Sequence, residues 1–244
     1  MDERDFAEQL QYFQGIADKY GYQTVPASTV HLTFEEMIQP AKLGFATIKT
    51  GLYGKVVNDD LVHLVKLQRL KGASYGVWWG VSLSYVPHEW QLNLRWHRSF
   101  KSSRFDLFET PYDCHPALTA DWREDETPVA YTGFGELYFR ETLQTMWRNL
   151  HQVIMTWFST AQSLNDVSQI ALEQAKRNWT GPRRQPNPLM VYAFTLGRMG
   201  RTEEALIALD KFFELNLESP QAQENLEKGL RIGGADQSAA DARR

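Results

Sequence analysis

Apolar residues recur every three or four positions over residues 3–20, with Phe6, Leu10, Phe13 and Ile16 on one stripe. That spacing predicts an amphipathic helix, ended by Gly21-Tyr22. A second helix is expected from Ser28 to about Lys42, capped by Ser28 or Thr29 and stopped at a left-handed Gly44. The period then falls to two. Residues 45–57 read as one strand interrupted by Gly51 and Gly54, residues 61–70 as a second, and residues 75–86 as a third. In the third, Tyr75, Val77, Trp79, Val81, Leu83 and Tyr85 share one face, and Gly76, Trp78, Gly80, Ser82 and Ser84 share the other. Alternation makes the first set the core side, and Pro87 is expected to end the strand. Residues 90–97 alternate again, with Leu92, Leu94 and Trp96 inward, and a short strand near 104–109 carries Phe105, Leu107 and Phe108. Turns of hairpin length at Asn58-Asp59-Asp60 and Lys71-Gly72-Ala73-Ser74 imply an antiparallel meander.

Residues 110–132 read as irregular, with Pro111, Pro116 and Pro128. Helical spacing returns over 134–159, through Phe139, Leu143, Met146, Leu150, Ile154 and Trp157, and again over 164–178. Gly181 to Pro188, rich in proline and charge, reads as a linker. Two helices at 188–199 and 202–216 join at Gly200 and resemble a single tetratricopeptide-type hairpin, with small Ala193 and Ala205 and apolar Leu209 at its spacing. Phe212 and Leu217 depart from that pattern. A further helix over 219–231 is expected to cover the hairpin's apolar face. The fold class is therefore α+β. An antiparallel sheet of four or five strands packed by helices spans residues 1–180. A small C-terminal helical appendage follows at 186–232, and the tail at 233–244 is expected to be disordered.

Composition narrows the function. The 244-residue chain is 43% hydrophobic and 23% charged, within the globular range. Its net charge of -4 argues against a dedicated nucleic-acid binder, which needs a basic excess to neutralise phosphates. Cys114 is the one cysteine, so no internal disulfide forms and a cytoplasmic, reducing location is expected. No stretch approaches the roughly 18 apolar residues that span a bilayer, and the acidic N-terminus does not read as a secretory signal. Aromatic residues cluster, with Trp78, Trp79, Trp90 and Trp96 in one short stretch.

Several short pieces resemble a bacterial family known only as a domain of unknown function. They are Leu43-Gly44-Phe45, Leu52-Tyr53-Gly54, Leu64-Val65-Lys66-Leu67-Gln68, the aromatic strand from Tyr75 to Tyr85, and Asp113-Cys114-His115, followed by Trp122 and the Trp157-Phe158 region. The resemblance covers residues 35 to 175. The arginine and glycine that often follow the Cys-His step are not evident here. Members of such families recur beside bacterial toxin genes, which implies an immunity protein.

Chemical motifs are sparse. Cys114 and His115 are a nucleophile and a base by residue type, but neighbours in an extended segment point to opposite sides, so a structural cysteine is the simpler reading. The six histidines include no HxxxH pair, and adjacent Asp113, Cys114 and His115 seldom converge on one metal ion. No cofactor is expected. The expected contacts are Trp78, Trp90 and Arg95 on the sheet and the acidic run Asp121, Glu124, Asp125 and Glu126. Tyr, Trp and Arg dominate binding hot spots, and an acidic loop speeds capture of a basic partner. The expected function is binding and neutralising a cognate toxin. The alternatives are an adaptor that uses the hairpin and the sheet separately, or an enzyme built on Cys114 or His115.

Overall fold

The computed structural model describes residues 3–71, 73–90, 93–96, 99–111, 129–177, 186–216, 224, 226–228 and 230–231. Helices α1 (Glu3–Tyr20) and α2 (Ala27–Ile38) open the chain. Strands β1 (Ala46–Lys49), β2 (Leu52–Asn58), β3 (Leu61–Arg69), β4 (Ser74–Leu83), β5 (Pro87–Trp90), β6 (Asn93–Trp96), β7 (Leu107–Glu109) and β8 (Ala130–Tyr131) follow. Helices α3 (Gly135–Ser159), α4 (Leu164–Lys176), α5 (Pro188–Arg198) and α6 (Thr202–Asn216) complete it. The main antiparallel sheet runs β1-β2-β3-β4-β7, with β8 also on β4, and β5-β6 form a separate hairpin.

The differences from the sequence reading have local causes. The strand expected over 45–57 is two strands folded back at Thr50-Gly51, because Gly51 takes a φ of +72° that a hairpin turn demands and glycine adopts without strain. The helix expected to Lys42 stops at Ile38. Gln39 turns left-handed, and Pro40 lacks the N–H that would continue the ladder. A short 3-10 turn then reaches Gly44, which is left-handed as expected. Pro26, not Ser28 or Thr29, holds the N-cap position of α2, without a side-chain cap bond. Pro87 begins β5, and the strand expected over 90–97 is split, with Trp90 opposite Asn93. β8 falls in a stretch expected to be irregular, where Tyr131 and Ala130 pair with Ser74 and Tyr75.

The chain divides into two compact units. Unit 1 comprises Met1–Tyr53, Val65–Trp79 and Glu109–Met155. Its core includes Phe34, Tyr53, Val77, Trp79, Phe139 and Leu143, all buried. Phe34 stacks on Tyr53, whose hydroxyl donates to Glu35 at 2.9 Å. Buried rings of this size contribute roughly 1.5–3 kcal/mol each.

Unit 2 comprises Gly54–Leu64, Gly80–Phe108 and Thr156–Arg244. The boundary expected near 186 matches neither unit. Leu61, Val81, Leu83 and Leu107 share one core with Val167 of α4, Val191 of α5, Leu209 of α6, and Leu226 and Leu230. The helices after 186 bury their apolar faces against strand residues. Described residues of the expected helix over 219–231 are helical, and Leu230 packs against Gly197. Local signals set the helix starts. Ser163 and Asp166 form a reciprocal capping box on α4, and Asn187 caps α5 with Pro188 in its first turn. The expected linker at 181–185 and the tail from 233 lie outside the described residues.

Candidate protein-interaction surface

In unit 1, segment 23–25 runs beside segment 132–135. Val25 N–H donates to Thr132 O at 2.8 Å, and Gly135 N–H donates to Gln23 O at 2.7 Å. Gly135, at φ +84°, turns the chain into α3. This clamp brings the rings of α1, the segment after it and the start of α3 together. Phe13 stacks on Phe134 with centroids 6.0 Å apart and meets Tyr131 edge-on at 6.2 Å. Tyr22 lies 5.7 Å from Phe134, Phe134 meets Tyr138 edge-on at 5.6 Å, and Tyr20 lies 5.0 Å from Tyr138. Each such pair contributes about 0.5–1.5 kcal/mol beyond area burial, so the rings form a firm platform.

The platform is uncovered at Tyr22, whereas Phe13, Tyr20, Tyr131 and Phe134 are half-buried and Tyr138 is buried. Tyr22 is 73% exposed, Leu137 63% and Leu10 55%. Leu10 stands one turn before Phe13 on α1, a spacing that places the pair on one helix face, and Leu137 lies in the first turn of α3, three residues after Phe134. Among the α1 residues whose burial is described, Ile16 and Ala17 are core. Around the rings, carboxylates sit in water. Glu141 accepts from the Tyr20 hydroxyl at 2.6 Å, Asp18 accepts from Gln14, and Glu136 and Glu36 flank Arg140. Apolar rings within a polar, net acidic rim have the anatomy of a binding patch.

Trp78 is half-buried on β4, with Lys66 Nζ 5.9 Å from its ring centroid. Trp90 and Arg95 sit on β5 and β6, and their side chains lie outside the described residues, as do Asp113, Cys114, His115, Asp121, Glu124, Asp125 and Glu126. Sequence reasoning missed the platform because Leu10 and Phe13 carry the spacing of a buried helix face. The available signal was the density of rings at Tyr12, Phe13, Tyr20 and Tyr22 around that stripe.

Unit 2 holds a second constellation, of a different kind. Asp106 Oδ2 accepts from Leu83 N–H at 2.6 Å, and His88 Nε2 lies 2.7 Å from Asp106 Oδ1. Arg104 meets His88 Nδ1. Burial pushes the Asp106 carboxyl up, against the pull of His88, the Leu83 amide and Arg104. An Asp-His pair is the orienting half of a general base, but a base needs its second nitrogen directed at substrate. Here the guanidinium occupies that nitrogen, and the side chains of His88 and Asp106 are 3% and 0% exposed. The arrangement clamps β5 to the segment before β7. Among the described residues no cluster of His, Cys, Asp and Glu has metal-binding geometry, and no helix is long and apolar enough to cross a membrane. No protein-family model, curated protein or solved structure matches the chain.

Proposed function

We propose that the chain acts by binding another protein, as an inhibitor of the immunity or antitoxin type that the family resemblance implies, and that the ring platform of unit 1 is the contact surface. The observation that carries this reading is the exposure of Tyr22, Leu137 and Leu10 beside a preassembled set of rings. Rigid aromatic anchors lose little conformational entropy on binding, which makes them efficient hot spots. The carboxylates of Asp18, Glu136 and Glu141 favour a partner with a basic rim around an apolar centre.

The test is affinity capture from the native cell with three proteins: wild type, Tyr22→Ser with Leu137→Ser, and Ile207→Ser. Ile207 is 69% exposed on α6 of unit 2 and serves as the matched control. A partner retained by wild type and Ile207→Ser but weakened by about 2 kcal/mol or more in the double variant is the expected result. Equal retention by all three removes the platform from the interface, and a purified partner whose activity is unchanged on binding removes the inhibitor reading.

A further inference from the structure

β1 is the terminal strand of the main sheet, and among the described residues β2 is the one strand beside it. A terminal strand turns the N–H and C=O groups of every second residue away from the sheet. Among the described residues, no backbone group of Ala46–Lys49 bonds outside the strand ladder. Ala46, Thr47 and Lys49 are exposed and Ile48 is half-buried, so the strand stands at the surface. The charge around it has one sign. From Met37 to Tyr53 the chain carries Lys42 and Lys49 and no aspartate or glutamate. Lys42 lies in the 3-10 turn that leads into β1, Lys49 ends the strand, and both are exposed. Among the described residues neither is ion-paired. The carboxylates just before this stretch are engaged. Glu35 accepts from the Tyr53 hydroxyl at 2.9 Å, and Glu36 accepts from Arg140 at 3.3 Å.

These properties restrict what pairs with the edge. The occupant is extended, because only a strand matches the repeat of outward N–H and C=O groups. It is acidic, because a lysine on an edge strand repels cationic neighbours and is satisfied by a carboxylate set opposite it. A second copy fits poorly. It brings a second pair of lysines to the same edge, and four residues of strand cover far less than the roughly 1,200 Å² of a stable interface. We infer that β1 is a docking edge for an extended acidic segment of a partner protein, which joins the sheet as an added strand with its carboxylates beside Lys42 and Lys49. Main-chain hydrogen bonds supply the attraction in this mode, and the lysines supply the selection. The ring platform favours a basic rim, so the two surfaces select opposite charge, and this inference does not rest on the platform.

Isothermal titration calorimetry of the full chain at low salt tests the assignment. The probes are the blocked peptide Glu-Val-Thr-Val-Thr-Glu, its counterpart with lysine in place of glutamate, and two forms of the acidic peptide methylated on alternate backbone nitrogens, one for each register. Saturable binding of the acidic peptide is expected, weakened about tenfold by Lys49→Glu. Lys211→Glu on α6, which makes the same change in net charge, is expected to leave it unchanged. The lysine peptide is expected not to bind, and one of the two methylated forms is expected to lose binding. Hydrogen exchange at the amides of Ala46–Lys49 is expected to slow when the acidic peptide binds. Tyr22→Ser with Leu137→Ser is expected to bind this peptide as wild type does, so failure here and failure of the platform reading are told apart. Absence of saturable binding overturns the proposal, as does equal affinity of wild type and Lys49→Glu. Equal binding of both methylated forms also overturns it, leaving charge attraction without an added strand. A dimer in sedimentation that slows the same four amides without peptide assigns the edge to a second copy and overturns it as well.

Discussion

Tyr20 in unit 1 and Tyr85 in unit 2 each carry a hydroxyl with a partner, Glu141 at 2.6 Å in one case and Thr195 at 3.1 Å in the other. The Tyr20 ring is partly exposed and its carboxylate partner stands in water, whereas Tyr85 is buried and burial pushes its phenol far above the usual range. The same contrast runs through both units. Unit 1 leaves Tyr22 exposed beside its rings and satisfies the Tyr20 hydroxyl at a wet rim. Unit 2 sinks His63, His88, Asp106 and Tyr85 below the surface and satisfies them against one another, against the side chains of Thr195 and Arg104, or against backbone. Buried polar groups demand partners at fixed positions, because leaving one unmade costs about 1–3 kcal/mol. A ring whose hydroxyl meets a carboxylate in water imposes no such demand.

Deleting a buried partner in unit 2 gives the largest expected effect. Asp106→Ala strands the Leu83 amide, His88 and Arg104 together. It is expected to cost about 3–5 kcal/mol, read as a lower urea midpoint at constant slope. A cost below 1 kcal/mol would mean that the cluster does not hold β5 and β7.

The next effect depends on pH. His63 Nε2 lies 2.6 Å from the Ala161 carbonyl, and its ring stacks on Phe158. Burial first, and Lys55 as well, hold its pKa below 6.5, against the raising effect of the carbonyl. The unfolded chain binds this proton near pH 6.5 and the folded chain does not. Stability from this group is therefore complete above about pH 6.5. It falls as the pH drops below that value, by at most about 1.4 kcal/mol per pH unit, until the folded ring also protonates. His63→Leu is expected to be less stable at pH 7.5 and to lose this part of the acid slope. An unchanged slope between pH 6.5 and 5 would show that His63 is protonated in the folded chain.

The smallest stability effect is expected in unit 1. Tyr22→Ser and Leu137→Ser should each change stability by no more than about 0.5 kcal/mol, because both side chains already face water. Thermal melting checks this. A loss above 2 kcal/mol would mark the rings as core and remove the contrast between the units.

Helix positions were readable because α1, α3 and α6 keep one period over many turns, and the alternation in β4 correctly placed Val77, Trp79, Val81 and Leu83 in the interior. Where two residues decide the outcome, the pattern was silent. Thr50-Gly51 folds a hydrophobic run into a hairpin, and β8 is two residues long. The platform was not readable for a different reason. A helix stripe records apolarity but not what covers it, and in α1 Ile16 and Ala17 are buried while Leu10 before them is exposed. The likeness of the α5–α6 pair to a separate repeat overlooked the same kind of fact, since Leu61, Val81 and Leu83 lie far away in sequence but share the core of those helices.

The three-part make-up of unit 2 also governs its synthesis. Its strand residues emerge from the ribosome first, and the stretch from Thr156 onward that covers them emerges later. At roughly 5–20 residues per second, Val81 and Leu83 wait for several seconds without the helices that bury them. Gly80 adds a geometric condition to that wait, since a Cβ there would lie 2.0 Å from the Leu107 carbonyl oxygen. β7 packs against β4 at a point that only a bare backbone can receive, and a side chain at position 80 would prolong the interval in which this nascent chain is open to wrong neighbours.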